Sequence, residues 1–465
     1  MLPDKRTRES ITVPALTERI RIFTGILLQA LLKGIPDGNI VFSPYSIFTL
    51  LLLAADASAG RTRSEITDAV LNGLDFDRSL DLLENYIRKD LRRDNQFSSA
   101  SAVMVRNDKK DNIIPGYPEH LRKVFDGELF AGEDLIAEVN NWVLGKSRGL
   151  IPPIADDSMK EMLLCLLNAC AFLAGWEKEY KPDSVLYDDF HNADGSVSRA
   201  VMLKSHETAY IENKWFTGFE KPYAGNAFSY AVLLPKKHGP LTEETLAKID
   251  FSSCLSGRIT ADVRVKMPEF RISSDYDLTG ICKDLGIKTA FTPQADFSPM
   301  SSEWLKADII RHKAYIEVDR EGTRASAVTK VRMPIGGMAA LHPEVKEITV
   351  DRPFVFEIVH RFTGLPVFVG LVNSLPDSHQ TSAADSQKAA QTVTTKEQAV
   401  SLAREVAENR GPILDVKEYD DIYVVTFVKG WDTYIVDRET GKVYSEQDLP
   451  EEEAIRIARR PYTMY

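Results

Sequence analysis

Residues 322 to 335 read Gly322-Thr-Arg-Ala-Ser-Ala-Val-Thr-Lys-Val-Arg-Met-Pro-Ile335. Alternate positions differ in kind. Thr323, Ala325, Ala327, Thr329, Val331 and Met333 are small or apolar, whereas Arg324, Ser326, Val328, Lys330 and Arg332 are mostly polar. A period of two is the pattern of a strand with one face toward a core and one toward water. Just downstream, Pro334, Gly336, Gly337 and Pro343 break regular structure and favour a loop. The segment is therefore a loop written in a strand's code, which predicts a strand that forms later, when space is made for it. An ordinary edge strand carries the same code, so the rest of the chain has to decide.

The 465 residues are 44% hydrophobic and 27% charged, the balance of a globular protein with ample core. That length allows roughly two or three domains, or one large domain with an appendage. A formal net charge of -11 argues against a nucleic-acid partner, because phosphate recognition needs a basic surface. The best apolar run, Ile47 to Ala55, contains Thr49 and is too short to cross a bilayer, so no membrane span is expected. Lys5, Arg6 and Arg8 have no apolar stretch behind them, so no signal peptide is expected at this N-terminus. Cys165, Cys170, Cys254 and Cys282 are irregularly spaced and fit buried free thiols better than metal ligands or a disulfide framework. A glycine loop for phosphate, a metal-ligand spacing and a nucleophile elbow are all missing, so neither an enzyme nor a metal or cofactor is expected.

Apolar residues recur at helical spacing from Thr17 to Leu32, and the segment Asn39 to Ile47 is expected to lead into a second, strongly apolar helix ending near Gly60. Mixed helical patterns follow to about residue 150. Strands are expected at Leu163 to Leu173, Ala227 to Leu234, Ala261 to Met267, Ala314 to Val318, Phe354 to His360 and Pro366 to Val372. Helices first and strands later, without regular alternation, indicate an α+β domain with large sheets. Residues 377–393 are poor in large apolar side chains and read as a flexible linker. Thr395-Lys-Glu-Gln398 is a capping box for a further helix. The strands Leu414 to Glu418, Ile422 to Val428, Thr433 to Val436 and Lys442 to Tyr444 come next, then a short charged helix from Glu451 to Arg459. The division is thus residues 1–376, the linker, and a small domain at 394–465.

A series of separated segments is familiar when read in order. It begins with Asn39-Ile-Val-Phe-Ser-Pro-Tyr-Ser46, Val139-Asn-Asn-Trp-Val143 with Ser147-Arg-Gly-Leu-Ile151, and Leu167-Asn-Ala-Cys-Ala-Phe172 with Trp176. Lys221-Pro-Tyr-Ala-Gly225 with Leu233-Leu-Pro235, Leu285-Gly-Ile287 with Ala295-Asp-Phe-Ser298, and His312-Lys-Ala-Tyr-Ile-Glu-Val-Asp319 leading into Glu321-Gly-Thr323 continue it. Asp351-Arg-Pro-Phe-Val-Phe356 and Thr363-Gly with Val367-Phe-Val-Gly370 close it. Together they resemble the serpin family over residues 15–376. The resemblance implies an α+β fold with three β-sheets, about nine helices and an exposed reactive-centre loop. It also implies inhibition of a serine protease, with cysteine proteases as a second class. The loop is cleaved as bait and inserts into the main sheet, a switch of the strand-addition kind. A non-inhibitory binding or chaperone-like module is the other reading. The resemblance further implies an extracellular or periplasmic setting, a monomer, and polymers by loop insertion.

The resemblance also carries site roles. Gly322, Thr323, Arg324, Ala325, Ser326, Ala327 and Val328 match the hinge. Ser43, Ser46, Asn168 and His312 match the polar shutter beneath the point where the sheet opens. Trp176, Glu269 and Arg320 match the breach where the strand first enters, with the family's usual acid and base exchanged between positions 320 and 269. Glu269 and Arg320 are expected to pair there. Counting from Arg320 puts the bait bond at Gly336-Gly337, with Ile335 and Met338 as alternatives that suit elastase- or chymotrypsin-like enzymes. Residues 394–465 weakly resemble the PepSY family, through Thr395-Lys-Glu-Gln-Ala399, Tyr434-Ile-Val-Asp437 and Thr440-Gly-Lys-Val443.

Overall fold

Ser43 and Pro44 start the helix on which the first unit is built. The Ser43 hydroxyl accepts the Ser46 N–H, Pro44 occupies the first turn where no N–H is needed, and Ile47 to Ala55 then run almost wholly buried. This helix is α2, Pro44–Asp56. It comes after α1, Val13–Gly34, whose Leu16, Ile20, Phe23, Leu27 and Leu31 form the expected apolar stripe. The computed structural model describes residues 12–35, 38–93, 95–133, 135–147, 150–151, 153–249, 251, 257–323, 344–377, 395–406, 413–418, 422–427, 433–437 and 443–445.

Two sheets enclose α2 and the core of the first unit, which ends at Asp377. The larger has nine strands, ordered β1-β16-β15-β9-β8-β7-β10-β14 with β6 beside β7. Their ranges are β1 Ile40–Phe42, β6 Val185–His191, β7 Val197–Glu212, β8 Phe216–Pro222, β9 Phe228–Pro235, β10 Ile259–Pro268, β14 Val345–Thr349, β15 Phe354–His360 and β16 Leu365–Val372. Two of the three expected sheets are joined here, because β7 runs unbroken and pairs with β6 along residues 197–203, with β10 along residues 202–210 and with β8 along residues 209–212.

The second sheet has seven strands, ordered β3-β2-β4-β12-β13-β5 with β11 beside β12. They are β2 Phe97–Val105, β3 Glu128–Phe130, β4 Leu164–Phe172, β5 Ala174–Gly175, β11 Phe270–Asp277, β12 Ile309–Val318 and β13 Gly322–Thr323. β2 corrects the expectation of helical patterns up to residue 150. Its Ser98, Ser99 and Ser101 interrupt the apolar residues, and pairing with β4 on one side and β3 on the other fixes it as a strand. Such tertiary pairing overrides weak local preference. β4 is buried along its whole length, as a central strand covered on both faces should be.

β4 and β12 lie side by side in parallel, from Cys165 opposite Ile309 to Ala171 opposite Tyr315. Above them the sheet is already parted. There β13 stands between β5 and β12, antiparallel to both, with Gly322 opposite Gly175, Thr323 opposite Ala174 and Thr323 opposite Val318. Only glycine fits at 322, since a Cβ there would lie 2.2 Å from the Ala174 carbonyl oxygen.

The second unit is described by its own core. A helix, Lys396–Val406, packs Ala399 and Ala403 on Tyr423, Val425, Tyr434 and Val436 of an antiparallel sheet of four strands. The expected capping box is present in both directions: Thr395 N–H donates to Gln398 Oε1, and Gln398 N–H donates to Thr395 Oγ1, each at 3.2 Å. The expected helix at 451–459 and most of the linker lie outside the described residues.

One buried group in the larger sheet is poorly compensated. Glu357 on β15 lies opposite Ala231 on β9, which in turn lies opposite Glu220 on β8, so both carboxylates share one face. Glu357 is 1% exposed, and among the described residues its Oε1 has no hydrogen-bond partner. Burial pushes its pKa up to about 8, opposed by Arg21 and assisted by Glu220. The folded protein therefore holds a proton that the unfolded chain gives up at lower pH. Stability is full below the ordinary carboxylate range and is lost as pH rises through about 8. Chemical denaturation at pH 6 and pH 8.5 should show this fall, by at most about 1.4 kcal/mol per pH unit. Glu357→Gln should flatten it.

Candidate strand-insertion site

Beneath the β4–β12 seam the polar groups form a closed network. His312 Nε2 accepts the Ser43 backbone N–H at 3.1 Å, so the ring proton sits on Nδ1 and is donated to Asn168 Oδ1 at 2.9 Å. Asn168 Nδ2 donates to the hydroxyls of Ser99 and Ser101, at 3.2 and 3.1 Å. The Ser43 hydroxyl donates to Ser46 Oγ, and that hydroxyl to Ser99 Oγ, both at 2.9 Å. The structure thus brings Ser43, Ser46, Asn168 and His312 together. Asn168 and His312 face each other across the seam itself. Ser99 and Ser101 are additional members that the sequence reading misses, because it takes their strand as helix. Their alternation in Ser99-Ala-Ser101 is the available signal.

Burial holds His312 neutral, its pKa pushed down to about 3 against the opposing charge of Asp275. Cys170 Sγ lies 3.9 Å from His312 Nε2, and burial pushes that thiol well above its usual range, so it is inert. Cys165, Cys170 and Cys282 are free and buried; Cys254 lies outside the described residues.

At the upper end, the turn Asp319–Glu321 is clasped from one side. Trp176 Nε1 donates to the Asp319 carbonyl at 2.8 Å, Trp176 N–H to Glu321 O at 3.0 Å, and Tyr180 N–H to Arg320 O at 3.2 Å. Trp176 stacks on Tyr223 with ring centres 4.6 Å apart. The Tyr223 hydroxyl is hydrogen-bonded to the Thr323 hydroxyl, which is fully buried. Below the rings, the buried Lys221 ammonium pairs with Glu207 at 2.8 Å and lies 4.5 Å from the Tyr180 ring centre. Glu269 and Arg320 do meet beside Trp176, but through the Arg320 backbone N–H, which donates to Glu269 Oε1 at 3.1 Å. Burial, then the nearby Asp319, raise the Glu269 pKa. Lys221 and Tyr223 belong to one of the motifs quoted above, where neither has a role assigned.

Gly322 and Thr323 are therefore placed, as β13. The hinge residues Arg324 to Val328 and the bond candidates Ile335, Gly336, Gly337 and Met338 lie outside the described residues. The chain between them is tethered at both ends, by β13 in one sheet and by β14, parallel to β10, in the other.

Comparison with known proteins agrees with this architecture. A model of the family Serpin (serine protease inhibitor) matches residues 18–375. The chain belongs to the serpin family. This serpin is 31% identical over 354 residues to alpha-1-antiproteinase 2 of Equus caballus, covering 72% of this chain and 81% of that one. It is 30% identical over 385 residues to leukocyte elastase inhibitor A of Mus musculus, covering 76% and 97%. The native structure of the thermophilic serpin tengpin aligns with a TM-score of 0.69 and 26% identity, covering 79% of this chain and 96% of that one. Serpins are mostly protease inhibitors rather than enzymes. No helix among the described residues is long and apolar enough to cross a membrane.

The shutter predicts an acid response. An unfolded or opened chain takes up a proton on His312 near its ordinary pKa of 6.5, whereas the closed sheet resists until about 3. The stability this group contributes is therefore present above 6.5 and is lost as pH falls toward 3. Conversion to polymers on native gels should accelerate between pH 7 and pH 5. His312→Gln, which cannot titrate there, should be faster at pH 7 but lose the acceleration.

Proposed function

We propose that this serpin is a suicide inhibitor of serine proteases and not itself an enzyme. The observation that supports it most is β13: the first two residues of the loop segment already occupy a strand position between β5 and β12, with Thr323 buried. The slot and the strand to fill it are thus in one register. In the proposed reaction, the protease's serine oxygen attacks the carbonyl of the bait bond. The amide breaks, the leaving amine takes up a proton, and an ester joins the loop's N-terminal half to the protease. Strand insertion then competes with attack of water on that ester. Arg320 and Glu269 hold the mouth of the slot.

Extending the register of β13 tests the strand's code. Thr323 lies opposite Val318 and Ala174, so in the inserted strand Ala325 falls opposite Ile316 and Phe172, and Ala327 opposite Ala314 and Cys170. Thr329 then falls between His312 and Asn168. The inner face carries small residues as far as Thr329, whose hydroxyl falls where the shutter needs a hydrogen-bond partner, and apolar ones after it. On the outer face Arg324 falls opposite Glu317, a favourable cross-strand pair. Thr329→Val should leave the native protein unchanged but lower the thermal stability of the loop-cleaved form. Equal stability of the two cleaved forms would refute this register.

Ile335 and Met338 suit an elastase- or chymotrypsin-like target, in keeping with the relative named as a leukocyte elastase inhibitor. Gly336-Gly337 at the expected bond favours the second reading, a non-inhibitory binding module. A panel of serine and cysteine proteases separates the two. The proposal expects an SDS-stable complex with one or more serine proteases and a cut near Gly336 by mass spectrometry. Cleaved serpin with fully active protease throughout would leave the binding reading.

A further inference from the structure

The outer face of the seam carries a second closure, distinct from the His312–Asn168 contact on the inner face. The helix Leu135–Lys146 lies over β2 and β3. A strap, residues 153–159, crosses toward β12 before the chain turns into β4. Its middle is held by the helix: Asn140 Oδ1 accepts the N–H groups of Ile154 and Ala155 at 2.8 and 2.9 Å, and Asn140 Nδ2 donates to Ala155 O at 2.8 Å. The residues on either side of these two, Pro153 and Asp156, are held by β12 instead. Lys313 Nζ donates to the Pro153 carbonyl, and Arg311 Nη1 pairs with Asp156 Oδ2 at 2.7 Å. Arg311 and Lys313 stand opposite Leu167 and Ala169, in the middle of the seam.

Inserting a strand between β4 and β12 moves them apart by one strand spacing, about 4.8 Å. No hydrogen bond or ion pair spans that change, so the strap must release either Asn140 or β12. Three features select β12. The Asp156 side chain is half exposed, so water replaces its lost partner. Arg311 keeps a bidentate pair with Asp275 of β11, at 2.6 and 2.7 Å, so its charge is not stranded. A cavity of about 230 Å³, lined by Ile151, Ser273, Ser274, Asp275, Lys313 and Ala314, lies beside Lys313, so its side chain has room to move once it leaves the Pro153 carbonyl.

We infer that the Asp156–Arg311 pair is a latch that times strand insertion and so sets the partition between trapping a protease and being consumed as its substrate. The second half of this statement rests on the inhibitory reading; the first does not. Asp156→Asn removes the charge while keeping the Oδ1 that accepts the Ser158 N–H. Asp156→Lys repels Arg311. Asp157→Asn is the control, because Asp157 pairs with Lys160 instead.

The rate is read first without any protease, from annealing of a synthetic peptide of residues 322–333 into the sheet, followed on native gels. Asp156→Asn should anneal about two- to fivefold faster than the unaltered protein, the range of an exposed ion pair. Asp156→Lys should be faster still, and Asp157→Asn unchanged. Raising salt from 0.05 to 0.5 M, as concentrations chosen for screening, should accelerate the unaltered protein and leave Asp156→Asn flat. Equal rates and equal salt responses in all proteins would overturn the latch. Faster annealing with no protease trapped by any variant would uphold the latch and sink the inhibitory reading. Trapping by the unaltered protein, with Asp156→Asn identical in annealing and stoichiometry, would do the reverse.

Discussion

The first unit depends on one contact, the parallel pairing of β4 with β12. These strands are far apart in the chain and meet edge to edge from Cys165 to Ala171. Parallel pairs bond at a slant and are slightly weaker per residue than antiparallel ones. Beyond the seam, β12 accepts an antiparallel strand instead: Thr323 of β13 pairs with Val318, and β13 pairs on its other side with β5. Every neighbouring group has to be satisfied with the seam closed, and in the proposed reading also with it open. That double requirement explains why small polar side chains lie beneath β4 where a purely apolar core would pack more simply.

The network under the seam meets the closed requirement fully. His312 uses both ring nitrogens, Asn168 uses its oxygen and nitrogen, and Ser43, Ser46 and Ser99 form a chain. Each such bond contributes about 1 kcal/mol net, but a buried partner left unpaired costs about 1–3 kcal/mol. Parting the strands is therefore expensive while the gap stays empty, and much less so when a strand with a matching hydroxyl fills it. Glu357 lies at the other extreme, a buried carboxyl without full compensation. It lies in the larger sheet, away from the seam, where the cost is met by holding a proton rather than by a partner.

How much of this was legible varied with how local its cause is. The helix α2 was readable because its apolar run is consecutive, and the capping box at Thr395 because its two partners are three residues apart. The strands β15 and β16 were readable from unbroken apolar runs. β2 was not, since Ser98, Ser99 and Ser101 dilute the apolar signal and only its neighbours make it a strand. Of the site, the motifs supplied Ser43, Ser46, Asn168 and His312, and the structure supplied the tautomer of His312 and the serines that complete the network. The exchange of signs at Arg320 and Glu269 was visible, but not that a backbone amide makes their contact. Asp156 and Arg311 left no trace in the sequence, because their pairing depends on where a loop crosses a sheet.

In the proposed reading, Gly322 and Thr323 join the seam to the loop that would fill it. Gly322 is required because backbone approaches it too closely for a side chain. Thr323 is buried and bonded to Tyr223, whose ring is fixed by stacking on Trp176, and Trp176 in turn holds the carbonyls of the preceding turn. The first rung of the incoming strand is thus set by rigid aromatic groups rather than by the loop itself. In the proposed insertion, once that rung is fixed, a period of two would leave no freedom in the rest of the strand: each inner residue would have a predetermined partner on β4 and on β12. A shift by one residue would bring Arg324, Lys330 and Arg332 to the core face and Thr329 to the outside, which a buried face does not tolerate. The alternation in residues 322 to 335 and the clasp around Thr323 are therefore two parts of one specification, the first giving the faces and the second the register.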